Sequence, residues 1–334
     1  MKIYHHIKDF ERLNHAVVTI GTFDGVHLGH QKIINKLVEK AKKSNGESVI
    51  LTFFPHPRMI LNPGNQELKM INTMAEKAQF LEELGIDHLI ITPFTRDFSN
   101  QSPEQYIKDV LINQIGMKEI VIGYDHRFGK DRSGGLAELQ QYGSVYDYQI
   151  EEIPEQDVRD FAVSSTRIRK ALAQGDVSTA NELLGNPFGL YGKVIKGDQI
   201  GRTLGYPTAN LFIEESYKLI PSDGIYAVTV EIQESKNKNQ ELHNPFLPFR
   251  SNKKADVKIY KGMAYIGHRP TINGMSQNIE INIFDFAEDI YHQNIKMNFL
   301  KFIRHDVKFE GLEKLTEQLG KDKESTIAFF KDKN

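Results

Sequence analysis

The chain has 334 residues, 40% of them hydrophobic, and its 42 basic and 44 acidic side chains leave a formal net charge of −2 at pH 7. The length predicts two domains with real cores, and the charge balance argues against a dedicated nucleic-acid-binding or polybasic membrane-binding protein. The lack of cysteine excludes disulfides, thiolate catalysis and cysteine-ligated metals. Because the sequence shows neither a signal core nor an apolar run near the ~18 residues of a membrane span, we expect a soluble, cytoplasmic protein.

The first predicted elements alternate between short β-rich runs and helical patterns, from Ala16 to about Gly185. The strand candidates are AVVTI, SVILTFF, HLIITPF and EIVIGYD, and a helical pattern follows each of them. This alternation predicts βαβ units and a parallel sheet covered by helices. In the third helix, Ser102 stands at the cap position and Gly116 where the helix should end. Two short helices, broken at Gly175 and Asp176, are expected to close this half.

The pattern changes at NPFG, residues 186–189, and we place the boundary between two domains there, as residues 1–185 and 186–334. Glycine-punctuated strand candidates follow, such as LYGKVIKG, GIYAVTVEIQ and IKMNFLKFIRH, with no helix expected before about residue 310. Several short strands in series predict an antiparallel barrel or sandwich.

Two further features of this second half are read from spacing and composition. A final helix near residues 310–330 has Leu312, Leu315 and Leu319 at helical spacing, and we expect these leucines to pack in the core. The polar segment from about Gln233 to Gly262 is rich in lysine and asparagine, and it predicts a long hairpin excursion.

The stretch GTFDGVHLGH, from Gly21 to His30, follows the first predicted strand and opens the first helix. Open α/β sheets bind ligands at this edge, and the free N–H groups of a helix start favour a phosphate. The spacing of Gly21, Gly25 and Gly29 fits neither the dinucleotide fingerprint nor the P-loop. His27 and His30 share one face of the first turn and are suited to donate hydrogen bonds to a phosphate, whereas a zinc site is disfavoured. The alternative is that Gly29 serves helix packing and that both histidines are satisfied surface or core groups.

Four segments of the first half carry a resemblance to known families. HLGH, residues 27–30, resembles the signature loop of the nucleotidyltransferase superfamily, and SSTRIR, residues 164–169, resembles a second element of that superfamily. TFFPHP, residues 52–57, and GYDHRFG, residues 123–129, resemble the flavin-side motifs of bacterial FMN adenylyltransferase modules. Without that resemblance, TFFPHP is interpreted as a strand that ends at prolines, and GYDHRFG as a polar cluster in a surface turn.

The second half extends the resemblance to nearly the whole chain. GKVIKGDQIGRTLGYPTANL, residues 192–211, resembles the glycine-rich motif of riboflavin kinases, and PSDGIYAV, IGHRPT, IEINIFDF and FLKFIRHDVKF follow in the order of that family. The chain therefore resembles the bacterial bifunctional riboflavin kinase/FMN adenylyltransferases, also called FAD synthetases. This resemblance implies a Rossmann-like α/β nucleotidyltransferase domain, followed by an antiparallel β-barrel riboflavin kinase domain with a C-terminal helix.

The resemblance also implies the chemistry of the first domain: the FMN phosphate attacks the α-phosphate of ATP and gives FAD and pyrophosphate. The attacking phosphate is already ionised, so catalysis depends on orientation and charge stabilisation. The residues expected at the triphosphate are His27, His30 and Arg169. Further ATP contacts are expected from Gly21, Phe23, Gly25, Gly29, Ser164, Ser165 and Thr166. The flavin side is expected to include Pro55, His56, Asp125, Arg127 and Phe128, with Asp125 also a candidate for Mg²⁺ or the nucleotide.

For the second domain, the resemblance implies phosphorylation of riboflavin by ATP. The phosphate loop is expected to comprise Gly197, Gly201, Arg202, Gly205 and Pro207. Thr208 and Asn210 are the expected Mg²⁺ ligands, and Arg304 is expected to bind flavin. Glu280 is the expected base that accepts the proton of the ribityl 5′-hydroxyl. From strand alternation alone, Glu280 would be an edge-strand glutamate that points at solvent.

Three features depart from the family pattern. His126 replaces the commoner phenylalanine, His292 replaces a glycine so that its turn is expected to differ in shape, and the excursion at 233–262 is longer than usual.

Two other functions stay open: a nucleotidyltransferase for another phosphate-bearing substrate, and a flavin-binding protein without catalysis. The expected partners are ATP, riboflavin and FMN, with neither nucleic acid nor membrane, and the sequence leaves the oligomeric state open.

Overall fold

The computed structural model describes residues 1–61, 68–155, 163–197, 200–233, 257–271 and 274–332. Contacts divide the chain into two compact units, the first from Met1 to Ser165 and the second from Thr166 onward. No helix in the described part of the chain combines the length and the apolarity that crossing a bilayer requires.

The first unit is built on a six-stranded parallel sheet. Its strands are β1 (Lys2–Tyr4), β2 (Ala16–Ile20), β3 (Glu47–Phe53), β4 (His88–Thr92), β5 (Met117–Gly123) and β6 (Gln149–Ile153). Their order in the sheet is β1-β4-β3-β2-β5-β6. All neighbouring strands pair in parallel, as the sequence predicted.

Helices cover this sheet, and the buried side chains of its strands fall into two hydrophobic clusters. They are α1 (Leu28–Ser44), α2 (Pro57–Leu61), α3 (Met74–Glu83), α4 (Arg96–Ser99), α5 (Pro103–Gln105) and α6 (Leu136–Tyr146). Val17 packs in the cluster that contains Leu37 of α1, whereas its neighbour Val18 packs in the other cluster with Leu111. Successive side chains of a strand point to opposite faces, so both faces of the central strands are covered.

The two strands that the sequence did not predict lie at the two edges of the sheet. β1 has three residues, and β6 has the sequence QIEEI with only Ile153 buried. Edge strands bury less surface, and their apolar pattern is correspondingly weak. The predicted cap and stop at Ser102 and Gly116 are both present, but the helix between them is a short α-turn that continues as a π-helix over Tyr106–Ile115.

Two short helices follow, α7 (Ser165–Ala173) and α8 (Val177–Leu184), and they break at Gly175 and Asp176 as predicted. Gly175 has φ +77°, and Asp176 caps α8 by accepting from the backbone N–H of Thr179 at 3.0 Å. Asn181 of α8 donates to the carbonyl of Phe299 at 2.8 Å, which fixes α8 to the barrel.

The second unit is a closed antiparallel barrel, which confirms the predicted barrel over a sandwich. Its strands are β7 (Gly189–Ile195), β8 (Ala209–Phe212), β9 (Gly224–Gln233), β10 (Val257–Thr271), β11 (Gly274–Ile283) and β12 (Asn294–Arg304), in the order β10-β11-β8-β7-β12-β9. A one-turn helix, α9 (Ile200–Thr203), lies between β7 and β8. The expectation of no helix before residue 310 was wrong at this point, because a single turn is too short to show a helical period.

The last helix, α10 (Leu312–Asp332), confirms the predicted C-terminal helix but not its core residues. Leu312 is 60% exposed, and the buried side chains are Asp322, Thr326 and Phe330. Leu315 and Leu319 are half-buried. The prediction of a core role for Leu312 was wrong because the buried side chains of α10 begin only at its midpoint, Asp322, and Leu312 belongs to its exposed first turn.

Most of the predicted polar excursion, residues 234–256, lies outside the described residues. The strands on either side of it pair antiparallel from Gln233 opposite Val257. The last part of the predicted excursion is therefore strand, because residues from Val257 onward belong to β10.

Candidate active sites

Three of the predicted motifs follow strands that are neighbours in the parallel sheet. GTFDGVHLGH follows β2, TFFPHP overlaps the end of β3, and GYDHRFG begins at the end of β5. The order β3-β2-β5 in the sheet brings all three loops to one edge. Ligands of open α/β sheets bind outside the carboxyl ends of the strands, and this edge is the candidate site of the first unit.

The loop from Gly21 to His27 is tightly folded. Phe23 has φ +43° and Val26 has φ +40°, a left-handed conformation that is uncommon for residues other than glycine. The N–H of Val26 donates to the carbonyl of Phe23 at 3.2 Å, and Gln31 of α1 donates to the carbonyl of Val26 at 2.8 Å. Gly25, at φ +91°, completes the turn. Gly29 is buried in the first turn of α1.

His27 caps α1, and its ring stacks on that of His30. The Nδ1 atom of His27 accepts a hydrogen bond from the backbone N–H of His30 at 3.3 Å. The two ring centroids are 3.5 Å apart with an interplanar angle of 17°. The Nδ1 atom of His30 is buried and has no hydrogen-bond partner among the described residues. Since Nδ1 of His27 accepts, its neutral ring carries the proton on Nε2, which is left to donate.

Burial keeps both imidazoles neutral at pH 7. It lowers the pKa of His27 to about 4. Burial also holds the pKa of His30 well below its usual value, with further lowering by His27 once that ring is protonated and by the positive charge of Lys77. The loop therefore offers a phosphate hydrogen-bond donors rather than positive side-chain charge.

The sequence reading missed two buried charged residues here, one packed against this loop and one within it. Lys77 of α3 is fully buried, and its Nζ donates to the carbonyl of Thr22 at 2.7 Å. Asp24 is 1% exposed and accepts from the backbone N–H of Ile71 at 3.0 Å. A signal was present in the sequence, because Lys77 falls on the same face of α3 as Met74, Ala78 and Leu81.

Of the SSTRIR segment, the structure brings Ser165 to the loop. Its hydroxyl donates to the carbonyl of Asp24 at 2.9 Å. Ser164 precedes α7 and is exposed, as is Thr166 in the first turn. Arg169 lies one turn further along α7, in the second compact unit, and is half-buried. The expected ATP contacts of these residues stay predictions.

The flavin-side residues divide into exposed and packed ones. Pro55, Asp125 and Arg127 are exposed. His56 is 8% exposed, and its Nδ1 accepts from the backbone N–H of Arg58 at 3.1 Å. Phe128 is also 8% exposed and packs in the core against Tyr106, with ring centroids 5.5 Å apart. Its ring is thus held by the protein itself, and contact of these residues with flavin stays a prediction.

The candidate site of the second unit centres on Glu280. β11 lies between β10 and β8, and Glu280 pairs with Asn210 of β8. The hydroxyl of Thr208 donates to Oε2 of Glu280 at 2.9 Å, and the amide of Asn278 donates to Oε1 at 2.6 Å. The reading of Glu280 as an edge-strand residue that points at solvent was wrong, because β11 is paired on both sides and the carboxylate is held by two donors.

The predicted phosphate loop approaches these residues closely. A Cβ on Gly197 would lie 2.2 Å from the side-chain nitrogen of Asn210, and one on Gly201 would lie 2.3 Å from the carbonyl of Tyr206. Gly205 has φ +81°. Gly197 and Gly201 are therefore required for the close approach of the loop to Asn210 and Tyr206. Gly205 is required for its left-handed backbone.

A cavity of about 490 Å³ lies beside this loop. Three predicted residues line it, namely Arg202, Pro207 and Thr208. The sequence reading missed the opposite wall, which consists of residues 286–291 and includes Phe286 and Tyr291. Phe286 ends the IEINIFDF motif, but no residue of this segment was predicted as a site residue, and only the folded barrel brings the segment to Thr208.

The oxygen atoms of Thr208, Asn210 and Glu280 form a donor set suited to a hard cation. They are a hydroxyl, an amide and a carboxylate, the ligand types that Mg²⁺ takes together with phosphates and water. Within the described residues, no cluster of three or more histidine, aspartate or glutamate side chains has the arrangement of a metal site. A site with few protein ligands fits Mg²⁺ bound to a substrate phosphate.

Each of the three guanidinium nitrogens of Arg304 donates a hydrogen bond within the protein. Its Nε and Nη2 atoms donate to Oδ1 and Oδ2 of Asp322 at 2.8 and 2.7 Å, and Nη1 donates to the carbonyl of His305 at 2.8 Å. The expected contact of Arg304 with flavin stays a prediction. His292 has φ +65°, in the left-handed region that favours glycine, and the expected difference in the shape of its turn from that of the family stays a prediction.

Comparisons with known proteins assign each unit to a family. A family model described as FAD synthetase matches residues 9–167, and one described as riboflavin kinase matches residues 184–330. The protein of Haemophilus influenzae named bifunctional riboflavin kinase/FMN adenylyltransferase is 35% identical over 323 residues, which cover 95% of this chain and 95% of that protein.

Further relatives match over almost their whole length. The protein of the same name from Bacillus subtilis is 34% identical over a match that covers 98% of this chain and 96% of that protein. The one from Escherichia coli K12 is 32% identical over 94% of this chain and 93% of that protein. A solved structure described as a macrolide-efflux protein from Streptococcus pneumoniae is 32% identical and has a TM-score of 0.81. The match covers 97% of this chain and 98% of the chain in that structure.

Proposed function

The chain belongs to the bifunctional riboflavin kinase/FMN adenylyltransferase family, and from this premise we propose which residues of each unit carry the two reactions. The chain phosphorylates riboflavin with ATP to FMN, and it adenylylates FMN with a second ATP to FAD and pyrophosphate.

The first unit carries adenylyl transfer at the shared edge of β3, β2 and β5. An oxygen of the FMN phosphate forms a bond to the α-phosphorus of ATP, and the bond to the pyrophosphate leaving group breaks. His27 donates from Nε2, and His30 and the N-terminal N–H groups of α1 provide further donors for the triphosphate. Neutral imidazoles suit this task, since they orient the phosphates without a proton transfer. The convergence of the three loops at one sheet edge is the observation that carries this assignment.

We assign Ser164, Ser165, Thr166 and Arg169 to the same triphosphate. The hydrogen bond from Ser165 to the carbonyl of Asp24 supports the assignment for this serine. On the flavin side, Pro55, Asp125 and Arg127 are exposed at loops of the same edge and are accessible to a ligand. His56 and Phe128 are buried and would shape the floor of that subsite.

The second unit carries the kinase reaction at Glu280. Glu280 accepts the proton of the ribityl 5′-hydroxyl, whose oxygen attacks the γ-phosphorus of ATP while ADP leaves. The hydrogen bonds from Thr208 and Asn278 hold the carboxylate in place for this transfer. The loop from Gly197 to Gly205, with Arg202 and Pro207, encloses the phosphates.

Thr208 and Asn210 are the residues that would hold Mg²⁺ in this unit. The hard oxygen donors and the close packing of Asn210 on Gly197 support this assignment. Bound there, the cation supplies positive charge to the phosphates of ATP. The protein's own part is to fix Asn210 beside the phosphate loop and Thr208 beside the base.

We keep the domain boundary at residues 1–185 and 186–334. The start of the riboflavin kinase match at residue 184 supports it, although contacts assign residues from Thr166 onward to the second unit. A cytoplasmic location, and partners limited to ATP, riboflavin and FMN without nucleic acid or membrane, stay predictions from the sequence.

A product assay on the purified chain tests the proposed function. Riboflavin, ATP and Mg²⁺ are incubated with the protein, and FMN and FAD are separated by chromatography over time, with a parallel reaction that begins from FMN. We expect FMN to appear first and FAD to follow, and FAD alone to form in the second reaction. Formation of FMN without FAD would contradict the assignment of the first unit, and no flavin conversion would contradict both.

A further inference from the structure

Lys77 is a buried ammonium that the proposed mechanism does not use. It lies on α3 with 0% exposure, and its neighbours on the buried face are Met74, Ala78 and Leu81. Burial lowers its pKa to about 8, so the group is still charged at neutral pH. An ammonium without water is costly unless it is paired and hydrogen-bonded, so its presence in a core indicates a specific task.

The ammonium of Lys77 reaches the loop before α1. Its Nζ donates to the carbonyl of Thr22 at 2.7 Å and lies 3.7 Å from the sulfur of Met74. The nearby negative charge of Asp24 favours the charged form of Lys77. Lys77 is therefore joined to this loop by a hydrogen bond to Thr22 and by the charge of Asp24.

Asp24 ties the same loop to two other segments. Its carboxylate accepts from the backbone N–H of Ile71 at 3.0 Å and of Asn72 at 3.4 Å, immediately before α3. Its carbonyl accepts from the hydroxyl of Ser165 at 2.9 Å. Three anchors therefore fix the loop within the three residues Thr22 to Asp24, and Lys77 is the one that bears positive charge.

The loop needs such anchoring because its backbone is strained. Phe23 and Val26, at φ +43° and +40°, hold a conformation that persists only where the surroundings over-determine it. The carbonyl bound by Lys77 belongs to Thr22, directly before Phe23. The ring of Phe23 in turn packs edge-on against His30, with centroids 5.2 Å apart. A shift of Thr22 is thus transmitted to His30 through one side chain.

We propose that Lys77 is a positioning residue for FMN adenylylation: hydrogen-bonded to the carbonyl of Thr22, it holds the loop so that His27 and His30 face the triphosphate. The inference rests on the proposed function of this loop as the ATP site. Lys77 touches neither substrate, and it acts through Thr22 and Phe23.

The test compares Lys77→Met with the wild-type chain in both reactions. Methionine keeps the length of the side chain and removes the charge and the donor. We expect kcat for conversion of FMN to FAD to fall at least tenfold, with KM for FMN changed less than threefold. The conversion of riboflavin to FMN by the same chain should stay within twofold. Lys36→Met, which removes an ammonium paired with Glu151 in the same unit, should change neither rate.

A second variant separates positioning from stability. Lys77→Met leaves the buried Asp24 without the nearby positive charge, and circular dichroism melts will show whether the first unit is still folded. Asp24→Asn with Lys77→Met removes both buried charges, and we expect it to regain most of the lost melting temperature but not kcat. Wild-type kcat in folded Lys77→Met, or recovery of kcat together with stability in the double variant, would overturn the inference.

The wild-type chain distinguishes the two possible failures. If it does not convert FMN to FAD, the proposed function itself fails, whatever the variants do. If it does, and Lys77→Met converts FMN with the same kcat, only the positioning role of Lys77 is refuted.

Discussion

His126 stands in the turn after β5, where its ring stacks on Phe128 with centroids 5.7 Å apart. Its Nε2 is buried and has no hydrogen-bond partner among the described residues. Burial, with a further contribution from the charge of Arg132, lowers the pKa of His126 to about 4. A buried polar atom without a partner costs stability, and so does a histidine that must stay neutral in acid.

We therefore predict that His126→Phe stabilises the first unit, and more so in acid. At pH 7 the gain in the free energy of unfolding should be about 1 kcal/mol, from removal of the unpartnered nitrogen. At pH 5 it should grow by a further ~2 kcal/mol, because the unfolded state takes up a proton below pH 6.5 that folded His126 does not take up until about pH 4. Urea unfolding at both pH values measures the two gains.

His5→Gln is the control for this prediction, since it removes an exposed histidine from the same unit. Its effect on the free energy of unfolding should be small and equal at the two pH values. A gain from His126→Phe that is the same at pH 5 and pH 7 would show that His126 titrates normally in the folded protein.

At the scale of single residues, the sequence was informative about which side chains matter and less so about how they are held. The spacing of His27 and His30 predicted one shared face, and the stacked rings confirm that. The same spacing did not indicate that His27 is the helix cap, nor that both rings are neutral. These properties depend on burial by segments far along the chain, such as α3 with Lys77.

At the scale of elements, a buried ion pair joins α10 to the barrel. Asp322 is 1% exposed, and both of its oxygens are occupied by Arg304 at the end of β12. Gln318 also donates to Oδ1 of Asp322, at 2.9 Å. Asp322 thus places a negative charge on the buried face of α10, together with Thr326 and Phe330. Removal of Arg304 would leave this buried carboxylate without an opposite charge.

Arg304→Met should consequently lower the free energy of unfolding of the second unit by about 3 kcal/mol. Chemical unfolding followed by circular dichroism measures this, and adding Asp322→Leu to the variant should restore most of the loss. Lys314→Met is the matched control, because it removes an exposed ion pair between the first turn of α10 and Glu310, just before the helix, and should cost less than about 0.5 kcal/mol. A rise in KM for riboflavin without loss of stability would instead favour the flavin role that the sequence predicted for Arg304.

The strands and helices themselves were predictable wherever they bury a regular pattern. The central strands β2, β3, β4 and β5 were found as apolar runs because both of their faces are covered. The edge strands β1 and β6 and the single turn of α9 were missed, since each is too short or too exposed for its periodicity to show.

At the scale of the whole molecule, the chain combines two sites with separate chemistry. Glu280 lies in the barrel and His30 at the edge of the parallel sheet, in different compact units. We predict that Glu280→Ala lowers the rate of riboflavin phosphorylation by a factor of about 10² to 10⁴ and leaves conversion of FMN to FAD largely intact. His30→Ala should do the reverse, with a loss of about 10² or more.

Product formation from riboflavin and from FMN, followed separately for each variant, measures this separation. Circular dichroism melts serve as the control that each variant is folded. If either substitution abolished both reactions in folded protein, the model of two separate sites would be wrong.

By itself, the sequence determined the two-domain organisation, the parallel sheet and the strand-rich second half, as well as the motifs of both reactions. These features are local, since periodicity, caps and glycine spacing act over a few residues. The tertiary structure alone decided which motif loops meet, that Glu280 is held by Thr208 and Asn278, and that residues 286–291 form a cavity wall. It also decided the ionisation of His27, His30 and Lys77, because the pKa of a buried group depends on neighbours and burial that only the folded chain brings together.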